Sequence, residues 1–338
     1  MAPTSPAPVA ITRGFTSSKM RKQSAFISAV TIAALMLSGC TIDKERFGSS
    51  QGSGQTTSNS SAVNPDPGSR DDGAMVRKPN PTQSVPQPTA KTSRPSPEAS
   101  DSAELEAAVR RVQSKYSGQL GVALTNPRGD RSASPAEYGS LSEGPAWSTA
   151  KVPVAIAAAK NSGVSAEMRS AITASDNAAA DSMWRALGSP EQAGAAATAV
   201  LRQGGDQETT IQTEVTRPGF SSFGQTRWSL SNQATFGANL QCIAGGTAVS
   251  ALMGQIAAGQ NYGLGSIPGA HFKGGWGPDE KGGYLTRQFG FIPGEKPGTF
   301  LGVAIAAKPS DGSYETGQAM LTELAKSLIK LRGFGGTC

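Results

Sequence analysis

Ser148 and Lys151 stand three residues apart at the head of the run GPAWSTAKVPVAIAAA. On a helix this spacing brings both side chains to one face. Serine is a favoured N-cap, so the pair reads on its own as a capped helix with a solvated lysine. The other reading is a serine nucleophile beside an amine that takes its proton. Two more patterns bear on the choice. Ser175-Asp176-Asn177 lies between helical runs, and Lys273-Gly274-Gly275 lies on a strand. Each alone has an ordinary structural reading, as a helix-start cap and as a turn. The chain has one histidine, His271, which leaves a Ser-His-Asp hydrolase a single candidate base. It precedes Lys273 by two residues and shares its strand face, as a substrate contact or as a packed strand residue. No His/Cys/Asp cluster has metal-ligand spacing, so neither a metal nor a cofactor is expected.

The elements that must hold these residues follow from hydrophobic periodicity. SAELEAAVRRVQSKYS aligns Leu105, Val109, Val112 and Tyr116 on one helical face, with Asp101 or Ser102 as cap. QLGVALTN, the turn PRGD and the segment to Tyr138 read as a strand pair. From Ser148 to Ala258 the chain is mostly Ala-rich helix, broken at Gly163, Gly188, Gly204-Gly205 and Gly245-Gly246. Three strands follow in GAHFKGGW, YLTRQFGFIP and TFLGVAIAA. A closing helix carries Met320, Leu321, Leu324, Leu328 and Leu331 on one face. The expected fold class is α+β: a five-stranded antiparallel sheet with terminal helices on one face and an inserted helical lobe. A site belongs in the cleft between the sheet and that lobe.

In the order S-x-x-K, S-D-N, K-G-G, the three patterns resemble the active-site motifs of the penicillin-recognising serine enzymes. That family holds class A β-lactamases, low-molecular-weight penicillin-binding proteins and related glutaminases. STAKVPVAIAAA and SAITASDNAAADSMWRALG are similar to the class A segments around the nucleophile and the middle motif, and the resemblance covers 101–331. It implies acyl transfer through Ser148. Lys151 would take the hydroxyl proton, its amine made neutral by burial and by the charge of Lys273. Ser175 would relay protons between Lys151, Lys273 and the leaving group. Asn177 would hold the substrate amide and the Lys151 amine, and Lys273 would attract a substrate carboxylate. Gly274 and Gly275 would let the strand approach closely. The backbone N–H groups of Ser148 and Trp276 would form the oxyanion hole.

Three departures qualify the resemblance. The family usually has a hydroxyl residue where Gly274 stands, so one hydrogen bond to a substrate carboxylate is lost. The interval from Ser148 to Ser175 is much shorter than in class A β-lactamases, which predicts a cleft lacking one wall. Those enzymes also carry an E-x-x-L-N loop whose glutamate activates the deacylating water. The corresponding stretch from Gly204 to Phe236 has Glu208 and Glu214 without that motif, Glu214 being the better placed. The expected function is a serine acyl-hydrolase with weak deacylation, acting on a cell-wall peptide, a β-lactam or a related amide or ester. The alternative is a wall-binding lipoprotein that keeps the fold without useful catalysis.

The N-terminal hundred residues set the compartment. MRKQSAFISAVTIAALMLSGC has a basic start, a short apolar run and a small-residue end, which together read as an export signal. Leu37-Ser38-Gly39-Cys40 resembles a lipobox, so residues 1–40 are expected to be a lipoprotein signal with its true start at Met20 and Cys40 lipidated. Residues 41–100 are Ser, Gly, Pro, Thr and Asn with few large apolar side chains, and read as a disordered tether. The expected domain is 101–338, held at the extracytoplasmic face of the cell membrane. Cys242 and Cys338 remain as a pair in an oxidising compartment, where a disulfide is expected. The net charge of +6 is spread without a dense basic run, so nucleic acid is not an expected partner.

Overall fold

The structure, a computed structural model, describes residues 99–127, 135–294, 296–333 and 335–338. The signal, Cys40, the start at Met20, the tether before residue 99 and most of the turn PRGD lie outside the described residues. Helix α1 (Ala99–Tyr116) leads into β1 (Gly118–Thr125) and β2 (Ala136–Gly139). A short strand β3 (Glu143–Pro145) and a 3-10 turn (Trp147–Ala150) precede α2 (Lys151–Ser162), α3 (Ala166–Thr173), α4 (Asn177–Ala186) and α5 (Pro190–Gln203). A mostly irregular stretch then reaches β4 (Arg227–Ser229), α6 (Leu230–Ala238) and α7 (Gly246–Met253). The chain ends through β5 (His271–Pro278), β6 (Tyr284–Pro293), β7 (Phe300–Pro309) and α8 (Tyr314–Leu328).

The main sheet has five strands in the order β2-β1-β7-β6-β5, every neighbouring pair antiparallel. The chain is thus α+β, with the sheet assembled from both ends of the domain. Large residues alternate with small ones along its central strands. Leu120, Val122 and Leu124 of β1 and Leu301, Val303 and Ile305 of β7 join Leu105, Val109 and Val112 of α1 and Met320, Leu321, Leu324 and Leu328 of α8 in one core. Each such side chain contributes roughly 1.5–3 kcal/mol when fully buried. The opposite face carries Gly302, Ala304 and Ala306, because α6 lies directly on it: a Cβ at Gly302 would fall 2.4 Å from the Ala234 carbonyl oxygen.

The helical lobe is delimited by side-chain caps. Ser165 caps α3 by accepting from the Met168 N–H, and Asp176 caps α4 by accepting from the Ala179 N–H. Ser189 and Gln192 form a reciprocal capping box at α5, with Pro190 in its first turn. Gly163 and Gly204 end α2 and α5 as the sequence predicts. At the C-terminus Phe300 and Gly336 exchange backbone hydrogen bonds, and a Cys242–Cys338 disulfide closes a separation of 96 residues.

Three local features differ from the sequence reading. Helix α1 begins at Ala99, with Asp101 inside its first turn rather than at its cap. Ser148 lies in the 3-10 turn, and the α-helix starts only at Lys151. Pro153 fits the first turn of that helix, where its missing N–H costs nothing. The pairing of β3 with β4 is an addition: strands of three residues are too short to show an alternation.

Candidate active site

The Ser148 turn is held from three sides. The Ala146 N–H donates to the Thr226 carbonyl at 2.7 Å, and the Thr149 N–H returns to the Ala146 carbonyl at 3.1 Å. Trp147 has a positive φ of 50°, a conformation that costs a non-glycine residue on the order of 1–3 kcal/mol and clusters at functional sites. Its ring is packed against Phe220 at 5.2 Å and is 2% exposed. Ser148 follows, also 2% exposed. Phe220, from the α5–β4 segment, thus reaches the ring of the residue that precedes Ser148.

Two amines converge on one hydroxyl. The Lys151 Nζ donates to the Ser175 carbonyl at 2.5 Å, the Asp176 carbonyl at 3.2 Å and the Asn177 Oδ1 at 2.8 Å, and lies 3.5 Å from the Ser175 Oγ. From the other side the Lys273 Nζ donates to the same Ser175 Oγ at 2.8 Å and to the Gly274 carbonyl at 3.0 Å. Both lysines are 0% exposed and Ser175 is 1% exposed. Ser175 has φ +60° at the junction of α3 and α4, where the chain turns its side chain inward between the lysines. Asp176 faces outward and caps α4; the Ala179 N–H it accepts holds its carboxyl below the usual range.

The β5 strand forms the opposite wall. A Cβ on Gly275 would lie 2.8 Å from the Ala146 carbonyl oxygen and 3.0 Å from the Ser148 nitrogen, so only glycine lets the strand meet the turn. Gly277 is equally constrained, a Cβ there lying 2.6 Å from the Trp147 ring. Gly274 is different. Its nearest neighbours to a Cβ are the Tyr262 hydroxyl at 3.7 Å and the Trp276 ring at 3.8 Å, which is ordinary contact. Close approach thus explains Gly275, as expected, but not Gly274. The Trp276 indole packs on Tyr314 at 5.3 Å, which leaves its backbone as the part of the residue beside the turn.

Beneath the turn lies a residue that no motif announces. Arg287 is the register partner of Gly275 and is fully buried. Its guanidinium makes five hydrogen bonds: Nη1 to the Gly144 and Pro145 carbonyls, Nη2 to the Trp228 carbonyl, and Nε and Nη2 to the Gln233 Oε1. Gln233 in turn donates to the Thr149 Oγ1 at 2.9 Å. The network ties β3, β4 and α6 to the Ser148 turn. Burial pulls the Arg287 pKa down to about 9, so the group is still charged at neutral pH.

Solved structures settle the architecture. TLA-3 extended-spectrum β-lactamase superposes with a TM-score of 0.55 at 14% identity, covering 68% of this chain and 98% of that one. A β-lactamase from Sphaerobacter thermophilus gives 0.51 at 17% identity, with 68% and 97% covered. A class A β-lactamase from Mycobacterium abscessus gives 0.52 at 14% identity, with 68% and 100% covered. The chain has the class A β-lactamase fold. No family model matches the sequence, and no curated protein matches it.

Within this β-lactamase fold, the segment between α5 and β4 is anchored at both ends. Asp206 is 0% exposed and accepts from the Thr209 N–H and the Trp228 Nε1, each at 2.9 Å. Farther along, Arg217 donates to the Pro278 and Asp279 carbonyls at the end of β5 and lies over the Phe220 ring at 4.5 Å. Between these anchors both candidate glutamates are exposed. The Glu208 carboxylate accepts from the Asn232 Nδ2 at 3.1 Å, and the Glu214 backbone N–H donates to the Gln212 Oε1 at 3.2 Å. His271 stacks on Phe291 at 4.8 Å, and its Nδ1 lies 2.7 Å from the Ser250 carbonyl oxygen. This β5 residue is packed into the fold.

Proposed function

We propose that the chain is a serine acyl-hydrolase of the β-lactamase and penicillin-binding type, which acylates at Ser148 and deacylates slowly. The observation that carries this reading is the convergence of Lys151 and Lys273 on the Ser175 hydroxyl, all three residues buried, with β5 close against the Ser148 turn. In the acylation step the Ser148 Oγ attacks the substrate carbonyl carbon while Lys151 takes its proton. The backbone N–H groups of Ser148 and Trp276 bind the oxyanion. As the carbon–nitrogen bond breaks, Ser175 passes a proton to the leaving nitrogen and is resupplied by a lysine. An ester on Ser148 remains.

Hydrolysis of that ester needs a base aimed at a water, and the exposure of Glu208 and Glu214 supports slow release. The substrate class is a D-Ala-D-Ala-type wall peptide, a β-lactam or a related amide or ester. Its location is the extracytoplasmic face of the membrane, tethered through lipidated Cys40, a reading supported by the Leu37–Cys40 pattern. Gly274 in place of a hydroxyl residue favours a second reading, a wall-binding lipoprotein without turnover. Intact-mass measurement after incubation with a penicillin separates the two. The enzyme reading expects one penicillin mass added to the chain and its loss in Ser148→Ala; an unmodified chain favours the binding protein.

A further inference from the structure

Two costs meet at Trp147, the residue before the nucleophile. Its φ of 50° lies in the left-handed region, which a bulky side chain rarely adopts. Its indole Nε1 is buried and has no hydrogen-bond partner among the described residues. A strained backbone and an unmet buried donor both persist only where the surroundings hold the residue in place. The Ala146 N–H is fixed on the Thr226 carbonyl. Rotation about φ at Trp147 therefore re-aims the next peptide, which carries the Ser148 N–H.

What holds the indole is a closed ring of contacts. Gly277 of β5 touches it so closely that a Cβ there would fall 2.6 Å from the ring. Phe220 packs on it with centroids 5.2 Å apart and planes tilted by 56°. Arg217 joins these two neighbours. Its guanidinium lies over the Phe220 ring at 4.5 Å. It also donates to the carbonyl of Pro278, which follows Gly277, and to the Asp279 carbonyl at 3.1 Å. A planar fork can meet two carbonyls and a ring face together, which a lysine ammonium cannot. The loop bearing Arg217 and Phe220 is fixed in turn by Gln225. Its Oε1 accepts from the Arg217 N–H at 2.6 Å, and its Nε2 donates to the Arg217, Phe220 and Ser221 carbonyls, each at 3.2 Å.

We propose that Arg217 is a positioning residue for Ser148. It locks Phe220 and the end of β5 onto the Trp147 indole, and the lock keeps the Ser148 N–H aimed at the oxyanion. This rests on the acylation proposed above and adds to it a residue that touches none of the reacting atoms. Without the lock, Trp147 relaxes from its strained φ and its indole N–H finds a partner. A misplacement of about 1 Å at a reacting group costs about a hundredfold in rate, so the ester forms more slowly while binding is kept.

The test uses the full chain carrying Arg217→Met and, separately, Arg217→Lys, which keeps the charge without the fork. Adduct formation is followed by intact mass over a range of benzylpenicillin concentrations. Both variants are expected to lower the limiting rate about ten- to a hundredfold, with the half-saturating concentration within about twofold of the parent. Solvent exchange of the indole N–H groups, read by heteronuclear NMR and assigned with Trp147→Phe, reports the lock without substrate. Exchange at Trp147 is expected to quicken by about tenfold or more in both variants. Trp228, whose indole N–H is bonded to Asp206, is expected to stay as in the parent and so reports an intact fold. Unchanged exchange at Trp147 overturns the proposal. So does faster exchange with the parental limiting rate, or parental behaviour in Arg217→Lys. A parent chain that forms no adduct overturns the reading above instead, and exchange at Trp147 then decides alone whether Arg217 holds the turn.

Discussion

The two sides of the candidate site are built differently. On the nucleophile side Ser148, Lys151, Ser175 and Lys273 are between 0% and 2% exposed, and Arg287 braces the turn from below. On the side of the α5–β4 segment the buried groups serve to anchor the segment, and the two glutamates face solvent. Burial with converging polar groups is costly unless function or network satisfaction repays it. The proposed acylation would draw on the first side; among the described residues the second carries no comparable arrangement of carboxylates.

The sharpest way to break this contrast is at Lys151. Lys151→Met removes the amine at similar volume and is expected to slow acylation by about a hundred- to ten-thousandfold, read as the rate of adduct formation. Retention of the parent rate would place the proton acceptor elsewhere.

Fold stability and site chemistry are separable at the disulfide. Cys338→Ser opens a link spanning 96 residues. In the chain-entropy model that costs up to about 4–5 kcal/mol, visible in denaturant unfolding of the unreduced protein. Because the bond joins the α6–α7 region to the C-terminal tail, the adduct rate at Ser148 is expected to stay within about twofold.

Arg287 joins the two quantities. Arg287→Met leaves the Gly144, Pro145 and Trp228 carbonyls without their donor, at about 1–3 kcal/mol for each group left unsatisfied. Stability and acylation rate should fall together, since the same residue braces the Ser148 turn. A loss of stability with an unchanged acylation rate would detach the brace from the chemistry.

Much of this was legible in the sequence, for physical reasons. Leu105, Val109 and Val112, and Met320 to Leu328, lie on buried helical faces because a 3.6-residue period has one stable outcome when half of it is apolar. Strand β6 coincides with YLTRQFGFIP because Gly282-Gly283 precedes it and Pro293 closes it. The structure brings Lys151, Ser175, Asn177 and Lys273 together, residues whose types and local spacing are written in three short motifs. What escaped depends on contacts distant in sequence. Arg287 reads as an ordinary strand cation until Gly144, Trp228 and Gln233 surround it, and the positive φ of Trp147 has no glycine to signal it. The packing of Phe220 on the Trp147 ring likewise joins residues far apart in the chain.

The most direct test of the difference between the two sides is pre-steady-state kinetics with a chromogenic cephalosporin. Acylation faster than hydrolysis predicts a burst near one equivalent of enzyme followed by slow turnover. Ser148→Ala should abolish both phases, and Glu214→Gln should leave both essentially as they are. A fast linear progress curve without a burst, collapsing in Glu214→Gln, would contradict slow deacylation and make Glu214 the base that activates water.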